Sequence, residues 1–398
     1  MRSWLARSLA VCGTISLLLS AAEAPASSAP AVVLVDAADL PQWRTWTESA
    51  GWQVIAPSGP ANSGIDVRVE AIEAAALQAV RNNSVDRARL YLAGRGEAAA
   101  AVFYTISKTP DLWAAAVAVG GSPLPAIDTG RVYAANFSNV PVLWIGTRSE
   151  DQQLAAKLAE NGLNLEWRNG DQLPLAAVLD WLGMHTRQEF PSAIDCETAS
   201  ASFSHCYWIR PMKFDAAERN DVLPSSRIEP TIKPALDLGG YGYKPEDPGP
   251  GILISFLPPK YSGPLKMGDR IIELAGRPLA DAHAYDKLMS DFKEERQTAV
   301  IVQRGKERLR LETAVVFPKQ AVGATARVQA QFDSAAREVQ ILSRAITEMQ
   351  VTIPAAWTPS TLTWNGVPLE KLEPPQTGNT CVDLRIDKEL ETSAPCSK

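Results

Sequence analysis

The chain reads as an α/β protein: a doubly wound sheet in its first half, then a β domain inserted in or adjacent to a small β-sandwich. Three observations predict this. Short, wholly apolar runs alternate with helical stretches as far as about Thr186, the rhythm of a parallel sheet covered on both faces. From Phe190 to Asp247 that rhythm stops, and Pro191, Pro211, Pro224, Pro230, Pro234, Pro245 and Pro248 punctuate a polar stretch that marks a domain boundary. Beyond Arg327 the runs alternate apolar and polar residues, as half-buried strands do.

With 398 residues, 46% hydrophobic and 21% charged, the chain has material for two or three domains with sizeable cores. A formal charge of -6 over that length leaves no basic footprint, which argues against nucleic acid or an anionic membrane surface as partner. The start Met1 to Arg7 is positive, Ser8 to Ala22 is apolar, and Ala22-Glu23-Ala24 is a small-x-small cleavage signal. Residues 1–24 therefore read as a secretory signal peptide, and its transient passage is the only membrane contact expected. Val11 before Cys12 is too large for a lipid-attachment site. Removing the signal leaves Cys196, Cys206, Cys381 and Cys396, an even number in an oxidising secreted or periplasmic compartment, so two disulfides are expected. Cys196 with Cys206 and Cys381 with Cys396 is the simplest of the three connectivities that four cysteines allow. Neither C-x-x-C nor H-x-x-x-H spacing occurs, so no metal and no organic cofactor is implied.

Taken in order, Ala31 to Asp36 and Trp52 to Pro57 read as buried strands around a polar helix from Pro41 to Ala50. A longer helix follows from about Asp66 to Asn82, and strands are expected at Leu90, at Ala114 to Val119 and at Val140 to Ile145. The first of these three opens Leu90-Tyr91-Leu92-Ala93-Gly94-Arg95-Gly96-Glu97-Ala98, a strand, a tight turn and the start of a helix of small residues. This is the shape of a G-x-S-x-G nucleophile elbow, with Gly96 at the serine position.

Residues 31–192 resemble the secreted esterase and dienelactone-hydrolase branch of the α/β-hydrolases. The resemblance is carried by Val85 to Gly94, by Val140-Pro141-Val142-Leu143-Trp144-Ile145-Gly146-Thr147, and by Ala176 to Leu182 with Pro191. It implies a nucleophile, a base and an acid, and each position can be checked. The nucleophile position is Gly96, which has no side chain to attack with. The base is implied in the loop Asn169 to Pro174, where Asp171 stands and no histidine does; a carboxylate does not replace imidazole as base near neutral pH. The acid loop, Arg148-Ser149-Glu150-Asp151, keeps carboxylates, and with no base to orient, Asp151 is expected in surface solvation or helix capping. The fold implies a pocket at the strand ends, with Arg95 and Glu97 either at its floor or, the more expected role, as solvated turn residues. His185 closes the last helix, where a cation complements the dipole. His205 and Ser204 point to opposite faces of a strand, and Ser122 in Gly120-Gly121-Ser122-Pro123 makes a turn.

Residues 193–235 read as a linker with the first strand of a β module, Cys206 to Arg210. Residues 236–315 follow, with Gly251-Ile252-Leu253-Ile254-Ser255-Phe256-Leu257, then Leu265-Lys266-Met267-Gly268-Asp269-Arg270-Ile271-Ile272, Ala275-Gly276, a helix from Ala282 to Phe292 and a hairpin turning at Gly305-Lys306. This stretch resembles a bacterial PDZ domain. The resemblance implies a peptide or protein C-terminus added as a strand beside Ile252, Leu253 and Ile254, with His283 at the start of the groove helix. The terminal carboxylate would sit on backbone amides of either Gly239 to Tyr243 or Pro250-Gly251, where Pro250 offers no donor. Residues 320–388 read as the rest of the sandwich, with an Asn365-Gly366 hairpin, and the tail 389–398 as polar chain held only by Cys396. The expected function is that of an exported chain without hydrolase chemistry that binds peptides or proteins through this module. The alternatives are an active serine esterase or peptidase with a non-standard nucleophile, and a structural cell-envelope protein.

Overall fold

In the computed structural model, which describes residues 28–58, 64–82, 84–170, 175–200, 205–318, 323–387 and 390–396, the first half is built on one parallel sheet. The expected signal 1–24, Ser204 and Asp171 lie outside the described residues. Strands β1 (Ala29–Leu34), β2 (Gln53–Ile55), β3 (Val85–Arg95), β4 (Ala115–Val119), β5 (Val142–Gly146) and β6 (Leu165–Asn169) pair in the order β2-β1-β3-β4-β5-β6, all parallel. They are joined through α1 (Leu40–Glu48), α2 (Ile65–Arg81), α3 (Ala99–Ile106), α4 (Leu124–Ile127) and α5 (Ser149–Glu160), and α6 (Leu175–Gly183) follows β6.

The period of two along each strand feeds two cores. Ala31, Val33 and Leu92 pack with Val69, Ile72, Val102 and Leu158, while Val32, Leu34 and Tyr91 pack with Trp43, Val178 and Leu182. Both faces of the sheet are therefore covered by helices, which is why its strands read as apolar runs rather than alternating ones. Strand β6 is the exception that sequence reading missed. It is an edge strand carrying Glu166 and Arg168, which pair at 2.6 Å, so its charges hid a strand that needs burial on one side only.

The chain next makes β7 (Ala193–Thr198) and β8 (Ile209–Phe214), then an inserted module: β9 (Ala235–Leu236), β10 (Gly242–Tyr243), β11 (Ile252–Phe256), β12 (Arg270–Leu274), β13 (Arg277–Pro278), α7 (Ala282–Asp291), β14 (Arg296–Arg304) and β15 (Glu307–Val316). Its sheet runs β10-β11-β12-β14-β15-β9, with β13 on β12, around a core that includes Ile252, Ile271, Tyr285, Met289 and Val302. The carboxylate of Asp269, 1% exposed, accepts from the Lys266 amide and from both ends of the Arg304 guanidinium at 2.8 and 2.7 Å, fixing the turn before β12.

The sandwich resumes with β16 (Ala326–Asp333), β17 (Glu338–Arg344), β18 (Ile346–Ile353), β19 (Ser360–Trp364), β20 (Val367–Leu372), β21 (Thr380–Asp387) and β22 (Leu390–Pro395). One sheet is β20-β19-β17-β16-β7 and the other β22-β21-β18-β8. Two expectations are corrected here. The first strand is β7, not Cys206 to Arg210: Cys206 only bridges Ile209, where β8 begins. The tail is not held by Cys396 alone, because β22 pairs with β21 from Val382 to Asp387. Disulfides join Cys196 to Cys206 and Cys381 to Cys396, with Cα atoms 6.0 and 5.4 Å apart. The first links β7 of one sheet to the turn that opens β8 of the other. These bonds fit an oxidising compartment, and among the described residues no helix is long and apolar enough to cross a membrane.

Candidate functional site

At the carboxyl end of β3 the chain turns at Gly96 with φ +55° and enters a short 3-10 turn that leads into α3. That left-handed conformation favours glycine. Packing around the turn is close. A Cβ on Gly94 would lie 2.6 Å from Val35 Cγ2, 2.8 Å from the Ala98 carbonyl oxygen and 2.9 Å from Val102 Cγ2, and one on Gly121 would lie 1.9 Å from the Gly96 oxygen. Gly96 itself differs: a Cβ there would meet nothing within 4 Å. The turn thus keeps open space at the position that the sequence resemblance gives the nucleophile, and has no side chain in it. Of the residues expected at the floor, Glu97 is exposed and Arg95 is half-buried with its guanidinium over Trp46, 5.6 Å from the ring centroid. Burial pushes the nearby Asp39 carboxyl up, against the pull of Arg95.

Asp151, which the sequence resemblance puts at the acid position, is not a surface or capping residue. It is 5% exposed, and its two oxygens accept from Arg148 Nε at 2.9 Å and Nη2 at 2.6 Å, while α5 begins without any side-chain cap. Both oxygens of the carboxylate accept from one guanidinium, a bidentate pair that holds the side chain against Arg148.

The histidines lie elsewhere. His185 meets Trp181 edge-on at 4.4 Å, its Nε2 is buried with no partner, and burial pushes its pKa down. The expectation of a helix-complementing cation is corrected accordingly: a desolvated imidazole favours the neutral form. It borders a cleft of about 350 Å³ with Ala114, Pro141 and Asn164, which precede β4, β5 and β6. That is the amino end of the sheet, opposite Gly96. His205 is exposed beside Pro110 and Asn136, which also precede strands. Ser122 Oγ accepts from the Leu124 amide at 3.3 Å, as a turn residue does. No group of three or more His, Cys, Asp or Glu that could hold a metal occurs among the described residues.

The inserted module places its expected peptide residues differently. Strand β11 is interior: it pairs with β12 through Ile252 and Leu253, and with β10 through Ile254 and Phe256. The edge beside Ile252, Leu253 and Ile254 is therefore covered at Ile254, and the strand that ends the sheet on that side is β10; β9 ends it on the other. Gly251 is also reassigned. Its amide donates to the Leu279 carbonyl at 2.9 Å, and its φ of +65° with Ile271 oxygen 1.9 Å from a would-be Cβ makes it a close-approach glycine of the fold. Of the two expected carboxylate loops, Gly239 to Tyr243 runs into the edge strand β10, whereas the Gly251 amide is already spent on Leu279. His283 stands exposed on α7.

Across from β10, Tyr241 and Tyr243 reach α7. The Tyr241 and Tyr285 hydroxyls are 2.7 Å apart, Tyr243 donates to Asp286 Oδ1, and the Tyr243 and Tyr285 rings meet at 5.5 Å and 77°. Sequence reasoning missed this cluster, although tyrosines spaced by two on a strand face one side. It also missed Glu197. That carboxylate is buried where the parallel-sheet domain, the sandwich and the chain leading to the inserted module meet. It accepts from Ser225 Oγ at 2.6 Å, Ser226 N at 2.6 Å and Oγ at 2.8 Å, Arg344 Nη2 at 2.9 Å, and Thr325 Oγ1. Its backbone meanwhile exchanges two bonds with the Asn136 side-chain amide of the parallel-sheet domain, at 2.8 and 2.7 Å.

The parallel sheet, its flanking helices and the turn at Gly96 fit an α/β-hydrolase-like core, with added β-rich regions. No protein-family model matches the chain, and no curated protein does. Among solved structures it is similar to one of two fungal esterases from Rhizomucor miehei, at 13% identity over 40% of this chain and 75% of that one, with a TM-score of 0.34. It is similar to a thermostable esterase at 16% identity over 41% of this chain and 56% of that one, with a TM-score of 0.31, so it spans little more than half of that protein. For esterase PE8 the figures are 15%, 40%, 93% and 0.30. Likenesses at this level carry no argument about activity.

Proposed function

We propose that this chain is an exported, non-hydrolytic α/β-hydrolase-fold protein that binds extended peptide or protein termini at the PDZ-like inserted module, by strand addition to β10. The observation that carries the first half of this reading is Gly96: the left-handed turn and the open space are present, and the group that would attack a carbonyl is not. Replacing triad residues costs on the order of 10⁴ to 10⁶ in rate, so a chain with glycine at the serine position is left with binding rather than turnover. The free edge of β10 supports the second half, since main-chain donors and acceptors there can pair with any extended segment. Two disulfides and the signal-like start support export.

The test is reaction of the purified protein with a fluorophosphonate, read by intact mass beside a labelled active esterase. The reading expects no adduct. A stoichiometric mass increase overturns it and, by peptide mapping, locates an activated serine such as Ser122.

A further inference from the structure

This inference rests on the peptide-edge reading above and concerns what that edge accepts. A strand added to β10 lies about 4.8 Å from it and points alternate side chains toward the space between the edge and α7. That space is already occupied. Tyr241 and Tyr243 share one face of the β10 segment, Tyr285 rises from α7 only 5% exposed, and the three rings are locked by the Tyr241 to Tyr285 hydroxyl contact at 2.7 Å and the Tyr243 bond to Asp286. The neighbouring inward residues of α7, Ala282 and Met289, are buried as well. A ligand side chain the size of leucine would have to displace a ring and break the contact between the Tyr241 and Tyr285 hydroxyls, leaving a buried hydroxyl without its partner.

We propose that Tyr241, Tyr243 and Tyr285 set the specificity of the β10 edge, restricting it to peptides whose terminal residue is small, such as alanine, glycine or serine. The backbone ladder supplies affinity for any extended segment, and the filled space beneath it rejects bulk.

The experiment measures fluorescence anisotropy of labelled hexapeptides with a free carboxylate, identical except for a last residue of Ala, Leu or Phe, on the purified full chain. Wild type is expected to bind the alanine peptide at least about ten-fold more tightly than the leucine and phenylalanine peptides. Tyr285→Ala should open the space and reverse that order; Tyr285→Phe keeps the ring, frees the Tyr241 hydroxyl and should narrow the gap. Where Tyr285→Ala does not fold, the wild-type order and Tyr285→Phe decide. Equal or tighter wild-type binding of the leucine or phenylalanine peptide overturns the specificity inference and leaves the peptide-edge reading standing. No binding of any of the three peptides by wild type or variants overturns both.

Discussion

At the turn after β3 the backbone keeps a left-handed glycine and open space, while the polar side chains around it are tied elsewhere, Asp151 to Arg148 and Arg95 over Trp46. At β10 the backbone edge is unpaired and the side chains beneath it are bonded to one another. The difference teaches that a backbone can keep its geometry without the side chain that chemistry needs, as at Gly96, and that under the proposed reading backbone alone suffices at β10, where a ladder would supply affinity. The buried polar network, meanwhile, is concentrated at Glu197, which holds both connections of the inserted module to the rest.

The largest expected effect lies at that junction, on which the placing of the two regions depends. Glu197→Ala leaves Arg344, Ser225, Ser226 and Thr325 without their acceptor and should cost about 3–5 kcal/mol in urea unfolding, with faster proteolysis between 215 and 235. A loss under about 1 kcal/mol would show that the junction is not what fixes the module. Around the turn, Gly121→Ala and Gly94→Ala should each cost about 1–3 kcal/mol through overpacking, measured as thermal midpoints. Gly96→Ala should cost only the left-handed strain, about 1–2 kcal/mol, because nothing stands in its way. Equal losses at all three would remove the claim of an open nucleophile position.

Acid should separate the regions by sign. Arg304 and the Lys266 amide, against the opposing effect of burial, hold the Asp269 carboxyl below its usual 3.8, so its contribution to the inserted module is present above that value and is lost as pH falls through the depressed folded value. Asp39 near the turn is raised by burial, so its unfavourable contribution is relieved earlier in the descent, as pH falls through its raised folded value toward 3.8. Amide exchange measured from pH 6 to 3 should therefore show the inserted module loosening first, and the reverse order would contradict the assignment. The smallest effect is that of Tyr285→Phe on stability, about 1 kcal/mol for a lost buried hydroxyl contact, read from the same thermal midpoints.

Elements that bury both faces or alternate cleanly were legible in the sequence: Ala115–Val119, Ala282–Asp291 and the hairpin at Gly305 stand where periodicity and turn residues put them. The turn at Gly96 was legible because close packing demands small residues at fixed spacing. What escaped is set by tertiary pairing. β10 is two residues long and exists only against β11, β6 carries edge charges, and β7 lies inside a stretch that reads as linker. His185 read as a cation because sequence shows its place near the helix end but not the burial that desolvates it. Glu197 gave no signal at all, since its partners come from residues 28 to 147 positions away.

The central claim is that ligands meet this chain at β10 and not at the turn after β3. Hydrogen-exchange mass spectrometry of the full chain, with and without excess alanine-ended hexapeptide, tests it most directly. The account predicts slowed exchange at 241–243 and no change at 94–99. Slowed exchange at 94–99 with none at 241–243 would contradict it.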